Sequence, residues 1–261
     1  MKQQISRGLS AFTFIEAMVV ILSLGVLVSI ILPAFMKAPR RYHARFPCAF
    51  NLGEIGRAYR IWEDDNHGQF PAAEWVANGG WRESLANPDQ GANCWTNYAI
   101  MADDLGQSPE FLVCPADERR PAKKFLAKEM SLGPGEFAFM NNSNLSYFVG
   151  VSANVNEPGS ILGGDRNLGL GTVPDAGYGC SPTNGKGNDV AVPIAGPVSW
   201  SLKMHSASNA AGLGNILLGD GSVQLVSSAS FRTNWLNHAA PTTNWPIGHA
   251  PSSPSIRLVF P

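Results

Sequence analysis

The sequence predicts an α+β protein in which one long N-terminal helix, apolar enough to cross a membrane, packs by its C-terminal half on a small antiparallel β-sheet domain. Three observations predict it. From Ala17 to Leu32 the only polar side chains are Ser23 and Ser29, and a helix with apolar surface on every side is the pattern of a membrane span. Leu52, Ile55, Tyr59 and Trp62 then recur at intervals of three or four, the pattern of a helix that lays one face on a core. From Leu145 onward, short apolar runs alternate with Gly, Asn and Pro, as strands joined by tight turns do.

At 1.5 Å per residue, a helix from Phe12 to Phe35 is roughly 36 Å long, more than the roughly 30 Å hydrocarbon layer of a bilayer. Its single acid is Glu16. An acid well inside a span costs about 2.5–3.5 kcal/mol, less near an end, so it needs either the headgroup level or a cation. A free α-amino group at Phe12, created by cutting after Ala11, supplies one. In a secretory signal peptide the apolar region precedes the small-residue cleavage site. Here the apolar run follows Ala11, so the helix is expected to stay with the mature chain. Lys2 and Arg7 precede the span, which sets that end in the cytoplasm and sends the rest outside.

Phe12-Thr13-Phe14-Ile15-Glu16, directly after Ala11, resembles the N-terminal signature of type IV prepilins and type II secretion pseudopilins. The resemblance implies that a prepilin peptidase cuts between Ala11 and Phe12 and N-methylates Phe12, and that Glu16 pairs with the α-amino group of a neighbouring subunit. Two departures are Ala11 where the family usually has Gly and Phe14 where Leu is common. The implied organisation is a leader (1–11), a transmembrane and assembly helix (12–35), a basic segment with an amphipathic helix (36–71) and a periplasmic α+β domain (72–261). The implied function is that of a structural subunit of a pilus-type or type II secretion filament. Its partners would be copies of itself and other pseudopilins, the peptidase, an inner-membrane assembly platform and membrane lipid. Its place would be the inner membrane in a single pass, then a periplasmic or cell-surface filament. The alternative is a membrane-tethered periplasmic ligand-binding protein or enzyme.

The formal net charge is −1, so no basic face is expected and nucleic acid is not an expected partner. Gly 27 and Pro 19 fall short of low complexity and indicate a folded, turn-rich domain. Cys48, Cys94, Cys114 and Cys180 are expected on the oxidising side, where disulfides persist; four cysteines allow three full pairings and the sequence leaves all three open. None has C-x-x-C spacing and the histidines do not fall at zinc-finger distances, so spacing gives no metal cluster.

Along the chain, Lys37, Arg40, Arg41 and Arg45 form a basic stretch, and Pro39 and Pro47 predict a bend. Asp64-Asp65-Asn66-His67-Gly68 ends the helix that runs from Ala49 to Trp62. Cys48, Asn51, Leu52, Ile55, Gly56, Phe70 and Pro71, and later Cys114-Pro115-Ala116-Asp117, resemble phrases of prepilin-like families of planctomycete and verrucomicrobial type. Between Glu74 and Pro109 a short helix or two is expected. Strands are expected at Phe111–Pro115, Leu145–Val151, Ser160–Gly163, Val198–Met204, Asn215–Leu218 and Ser222–Val226, the last two joined as a hairpin by a two-residue Asp220-Gly221 turn. Ser227-Ser228 caps a closing helix over 229–238, Ile256–Phe260 is an edge strand, and Gly163–Gly196 is an exposed loop.

Gly164-Asp165-Arg166-Asn167, Met204-His205 and Gly219-Asp220-Gly221-Ser222 invite a site. His205 ahead of Asp220-Gly221 resembles the His-x9-Asp-Gly signature of the same families, although fourteen residues intervene here. The structural reading pairs Asp165 with Arg166 and lets Asp220 hold the turn at Gly221. The catalytic reading makes His205 a base oriented by Asp165 or Asp220, but nucleophile elbow, HExxH and phosphate loop are all missing from the sequence, so no enzyme is expected. Calcium is the one candidate cofactor: Asp165, Asn167, Asp189 and Asp220 offer hard oxygens in Gly-rich loops, and the resemblance to pseudopilins permits it. Seven tryptophans suit either a sugar-stacking surface or core positions, more often the latter.

Overall fold

The apolar run beginning at Phe14 forms helix α1 (Phe14–Met36). Thr13 caps it. The Glu16 N–H donates to Thr13 Oγ1 (3.3 Å), while the Thr13 N–H and hydroxyl donate to Glu16 Oε2 (2.8 Å each). This Thr-x-x-Glu arrangement is a capping box, which satisfies donors that a helix start leaves open. The structure, a computed structural model, describes residues 13–36, 45–86, 93–125, 137–205, 212–243, 245–246 and 249–261; the expected cleavage and methylation residues Ala11 and Phe12 lie outside them. Met1–Pro39 and Arg40–Pro261 are two compact units.

Two expectations are corrected. Among the described residues no helix is long and apolar enough to cross a membrane. That removes the support for a transmembrane helix, for single-pass inner-membrane placement with a periplasmic domain, and for the pilus and secretion terms that rest on them. Among the described residues the single long helix is not found either: α2 (Arg45–Asp65) is an element distinct from α1, and α2 is the helix that packs on the sheet.

Pro47 sits in the first turn of α2, where its missing N–H leaves no intrahelical bond broken. Cys48, Leu52, Ile55, Ala58, Tyr59 and Trp62 form the buried face. His67 (φ 58°) and Gly68 (φ 67°) close its end in the left-handed region, and the Gly68 N–H donates to Glu63 O at 3.0 Å, as helix C-termini commonly do. The short helix α3 (Cys94–Ile100) follows. The expected strand at 111–115 is corrected: Pro109–Leu112 is a 3-10 turn, with Pro109 starting it and Leu112 buried.

Two short strands, β1 (Lys124–Phe125) and β2 (Ala138–Phe139), pair in parallel. The main sheet uses β3 (Tyr147–Gly150), β4 (Ile161–Asp165), β6 (Asn188–Pro193), β8 (Leu213–Leu218), β9 (Val223–Ser227) and β10 (Ser255–Phe260). It is antiparallel throughout, in the order β6-β10-β3-β4-β8-β9. A separate pair joins β5 (Leu168–Leu170) to β7 (Val198–Trp200). The expected exposed loop is thereby corrected, since β5 and β6 lie within 163–196. The expected edge strand is also corrected: β10 runs between β6 and β3 with every residue buried.

Alternation along the strands feeds two cores. Tyr147, Val149, Leu217 and Val259 join the core under α2 and α3. Phe148, Ile216, Leu218, Leu258 and Phe260 join the second, with Trp200, Phe231 and Leu236. That second face is covered by the closing segment, where Ser227 accepts from the Ser230 N–H at the start of α4 (Ser228–Ser230), followed by a π turn to Trp235 and a 3-10 turn to His238. At the β8–β9 hairpin, Gly221 N–H donates to Leu218 O (2.9 Å) and Leu218 N–H to Ser222 O (3.0 Å), with Gly221 at φ 82°. The loop is three residues, a type I turn followed by a left-handed glycine, not the expected two.

Gly56 is where α2 crosses this hairpin: a Cβ there would lie 2.8 Å from Leu217 Cδ1 and 3.2 Å from Gly221 O, whereas one at Gly53 meets nothing within 4 Å. Gly56→Leu should therefore destabilise the fold by about 1–3 kcal/mol through overpacking. Gly53→Leu should be neutral or stabilise by up to about 1 kcal/mol through helix propensity. Denaturant midpoints of the two variants check the contrast.

Candidate functional site

The chemistry-bearing residues converge on a buried polar seam between the start of α2 and the α2-facing side of the sheet. Cys48, in the first turn of α2, is disulfide-bonded to Cys114, with Cα atoms 5.0 Å apart and a sequence separation of 66. Closing a loop of that size stabilises by about 4 kcal/mol in the chain-entropy account. This answers the pairing question in part: Cys94 and Cys180 are free. The Cys94 thiol sits in α3 against Val259 O (3.3 Å), and burial pushes it far above its ordinary range; burial raises Cys180 as well.

His205 Nε2 lies 3.5 Å from Cys114 Sγ and 3.3 Å from Asp165 Oδ2. Both His205 and Asp165 are fully buried. Asp165 stands at the end of β4, opposite Tyr147, and accepts from the Asn215 N–H (2.6 Å) and side-chain amide (2.9 Å) on β8. Met204, buried with φ 59°, takes a left-handed backbone that disfavours a bulky side chain by about 1–2 kcal/mol, and this reversal sits immediately before His205. Asn167 braces the same loop by donating to Lys203 O and Leu213 O, each at 3.1 Å.

Beside this lies a second set. Arg166 donates from Nε to Asp117 Oδ2 (2.6 Å) and from Nη2 to Oδ1 (2.8 Å), with side-chain exposures of 3% and 0%. Ser146 donates to Asp117 (2.7 Å), Arg166 also reaches Ser181 Oγ (3.2 Å), and its guanidinium lies 3.3 Å from the Tyr178 ring centroid. Burial alone would raise the Asp117 carboxyl, but the Arg166 bonds and charge outweigh it and hold it below its usual range. Arg119, brought down to about 10 by burial and repulsion from Arg166, donates to the carbonyls of Asn142, Leu145, Pro182 and Pro261.

The expected Asp165–Arg166 ion pair is thus replaced by Arg166–Asp117 and by Asp165 with His205 and Asn215. Asp220 does hold its turn, accepting from the Ser222 N–H at 2.8 Å, and stands away from His205. The four candidate calcium ligands are dispersed. Asp189 on β6 binds Arg257 of β10, with both carboxylate oxygens 3.0 Å from Nε, and Asp220 is at the β8–β9 turn on the other side of the sheet. Four strand spacings of about 4.8 Å separate β6 from β8, too far for one ion. Trp62, Trp81 and Trp200 are core residues. Two adjoining surface cavities of about 430 and 610 Å³ share Ser152, Glu157, Ala240 and Arg257, and Trp75 and Trp245 line the larger. Sequence reasoning missed Asp117 as the partner of Arg166; its one signal was the Cys-Pro-x-Asp phrase.

No protein-family model, curated protein or solved structure matches the chain significantly.

Asp117→Asn leaves the Arg166 charge buried without its counter-ion and should cost about 3–5 kcal/mol of stability. The Asp117 carboxyl titrates below the unfolded value of about 3.9, so its contribution is complete above that pH and is lost as the pH falls through the lower folded value. The gap between wild type and Asp117→Asn, measured by denaturant unfolding, should be full at neutral pH and close in strong acid.

Proposed function

We propose that the chain is a pilin-like structural subunit, trimmed between Ala11 and Phe12 by a prepilin-type peptidase and assembled through α1. The observation that carries this reading is the surface of α1. Phe14 and Ile15 are 79% and 73% exposed, and Val19, Ile21, Leu22, Leu24, Val26 and Leu27 are exposed as well. So much contiguous apolar surface marks an interaction site. Glu16 is the lone acid on it, and the resemblance of residues 12–16 to prepilin signatures supplies the cation it would meet, the α-amino group of the next copy.

Ligand binding by the second unit is the other reading, favoured by the cavities around Arg257, whose walls carry Trp75 with the Arg82 guanidinium 4.2 Å from its ring.

Glu16 has two separable tasks, because a capping box accepts Gln as well as Glu while only Glu carries charge. Glu16→Gln should keep α1 helical yet reduce the polymer recovered in sheared filament fractions at least tenfold, a ratio equal to about 1.4 kcal/mol. Wild-type amounts of polymer from this variant would remove the amine pairing. Mass spectrometry of the native chain should find methylated Phe12 at its N-terminus; a chain beginning at Met1 counts against the whole reading.

A further inference from the structure

Trp62, Trp81 and Trp200 are core residues, but three other tryptophans are not. Trp75, 49% exposed, and the half-buried Trp245 line the larger of the two adjoining surface cavities, and the half-buried Trp235 lines the smaller. Burial would stabilise such rings further, so three of them around one depression mark a place where something else covers them. Each cavity keeps a flat apolar surface open to solvent.

The larger cavity is braced before any ligand arrives. The Trp75 N–H donates to Glu74 Oε1 (3.0 Å), the Val76 N–H to Glu83 Oε2 (2.6 Å) and the Gly80 N–H to Trp75 O (2.8 Å). The Arg82 guanidinium lies 4.2 Å from the Trp75 ring, within reach of a cation–π contact. Trp245 Nε1 donates to Thr242 O (2.7 Å), and Thr242 Oγ1 accepts from the Arg257 N–H (2.9 Å) and is hydrogen-bonded to Ser152 Oγ. Rings fixed in this way lose little freedom on binding.

The wall common to both cavities is polar, with Ser152, Glu157 and Arg257. Arg257, 2% exposed, uses Nε and Nη2 on Asp189 and Leu85 O, and its Nη1 has no hydrogen bond to a described residue. Arg82 and Arg257 on the lining are matched by Glu83 and Glu157, and Asp189 already neutralises Arg257. No positive charge is concentrated for an anion. Volumes of about 430 and 610 Å³ each fall within the roughly 300–1,000 Å³ of ligand sites, and two adjoining cavities suit a ligand of repeated units. A sugar ring has an apolar C–H face that stacks on tryptophan and a rim of hydroxyls for carboxylate, hydroxyl and guanidinium partners.

We propose that the paired cavities bind a neutral oligosaccharide, laid across Arg257 with sugar rings on Trp235 at one end and on Trp75 and Trp245 at the other. This rests on the ligand-binding reading of the second unit and gives that ligand its chemical class.

The test uses the full chain, with tryptophan fluorescence and titration calorimetry against neutral hexamers of β-1,4-linked glucose, α-1,4-linked glucose, β-1,4-linked mannose and β-1,4-linked N-acetylglucosamine. At least one of them is expected to bind one-to-one with a Kd of about 1 mM or tighter and to shift the tryptophan emission to the blue. Its affinity should hold between about 0.05 and 0.5 M salt, because screening weakens only charge pairing. Trp75→Ala and Trp235→Ala should each weaken binding at least about tenfold, and Trp75→Phe less than Trp75→Ala. Trp75 is outside the core, so its variants probe the site in a folded chain. Binding indifferent to both alanine variants overturns the proposal. Binding confined to charged hexamers, of galacturonate or of glucosamine, also overturns it but keeps the ligand-binding reading. Silence from every probe overturns it and leaves that wider reading without a ligand.

Discussion

A charged pair held out of water sets the terms for much of the second unit. Removing Arg166 and Asp117 from solvent carries a penalty of several kcal/mol per ion, offset only by close geometry and further hydrogen bonds. The fork of Arg166 meets both carboxylate oxygens, Ser146 and Ser181 take remaining positions, and Tyr178 offers its ring face. These five groups come from four places in the chain. Satisfying one pair therefore fixes the turn after Cys114, the approach to β3, the end of β4 and the loop before β6 together. Arg119 does the same for backbone, gathering carbonyls from 142 to 261.

The sheet supplies the other constraint. With both faces covered, successive strand residues enter different cores, and a slip of one residue would exchange Phe148 for Tyr147 or Leu258 for Val259 between them. Asp189 and Arg257 pin the β6–β10 register diagonally, a cross-strand pairing of the kind that discriminates registers. The seam and the sheet meet at Asp165, a strand residue whose side chain points toward α2.

What was legible in the sequence was local. The stripe Leu52, Ile55, Tyr59, Trp62 reports its own burial, because one face of α2 is wet and the period survives. The Asp220-Gly221 turn and the Ser227 cap are fulfilled by groups within a few residues. The strand at 188–193 escaped notice because its alternation, carried by Val190 and Val192, is short and framed by Gly and Asn. The central place of β10 was hidden for the opposite reason: full burial erases alternation, and a short apolar run near prolines reads like an edge. The partner of Arg166 was illegible, since adjacent Asp165 is the obvious candidate on paper, but β4 ends at Asp165 and the turn at Arg166 brings its guanidinium to Asp117, 49 residues earlier. His205, Cys48 and Cys114 show the same limit, being 66 and 91 residues apart.

The place of β10 has a consequence for the order in which the molecule is made. It follows every other strand in the sequence yet lies inside the sheet, with β6 and β3 bonded to its two edges. While a ribosome is still delivering the preceding stretch, those two edges have nothing between them and Phe148 lacks Phe260, its ring neighbour at 5.2 Å. Long-range pairing of this kind closes slowly. Exposed strand edges recruit other chains in the interval, so the nascent polypeptide needs shielding until residues 255–260 are free to enter.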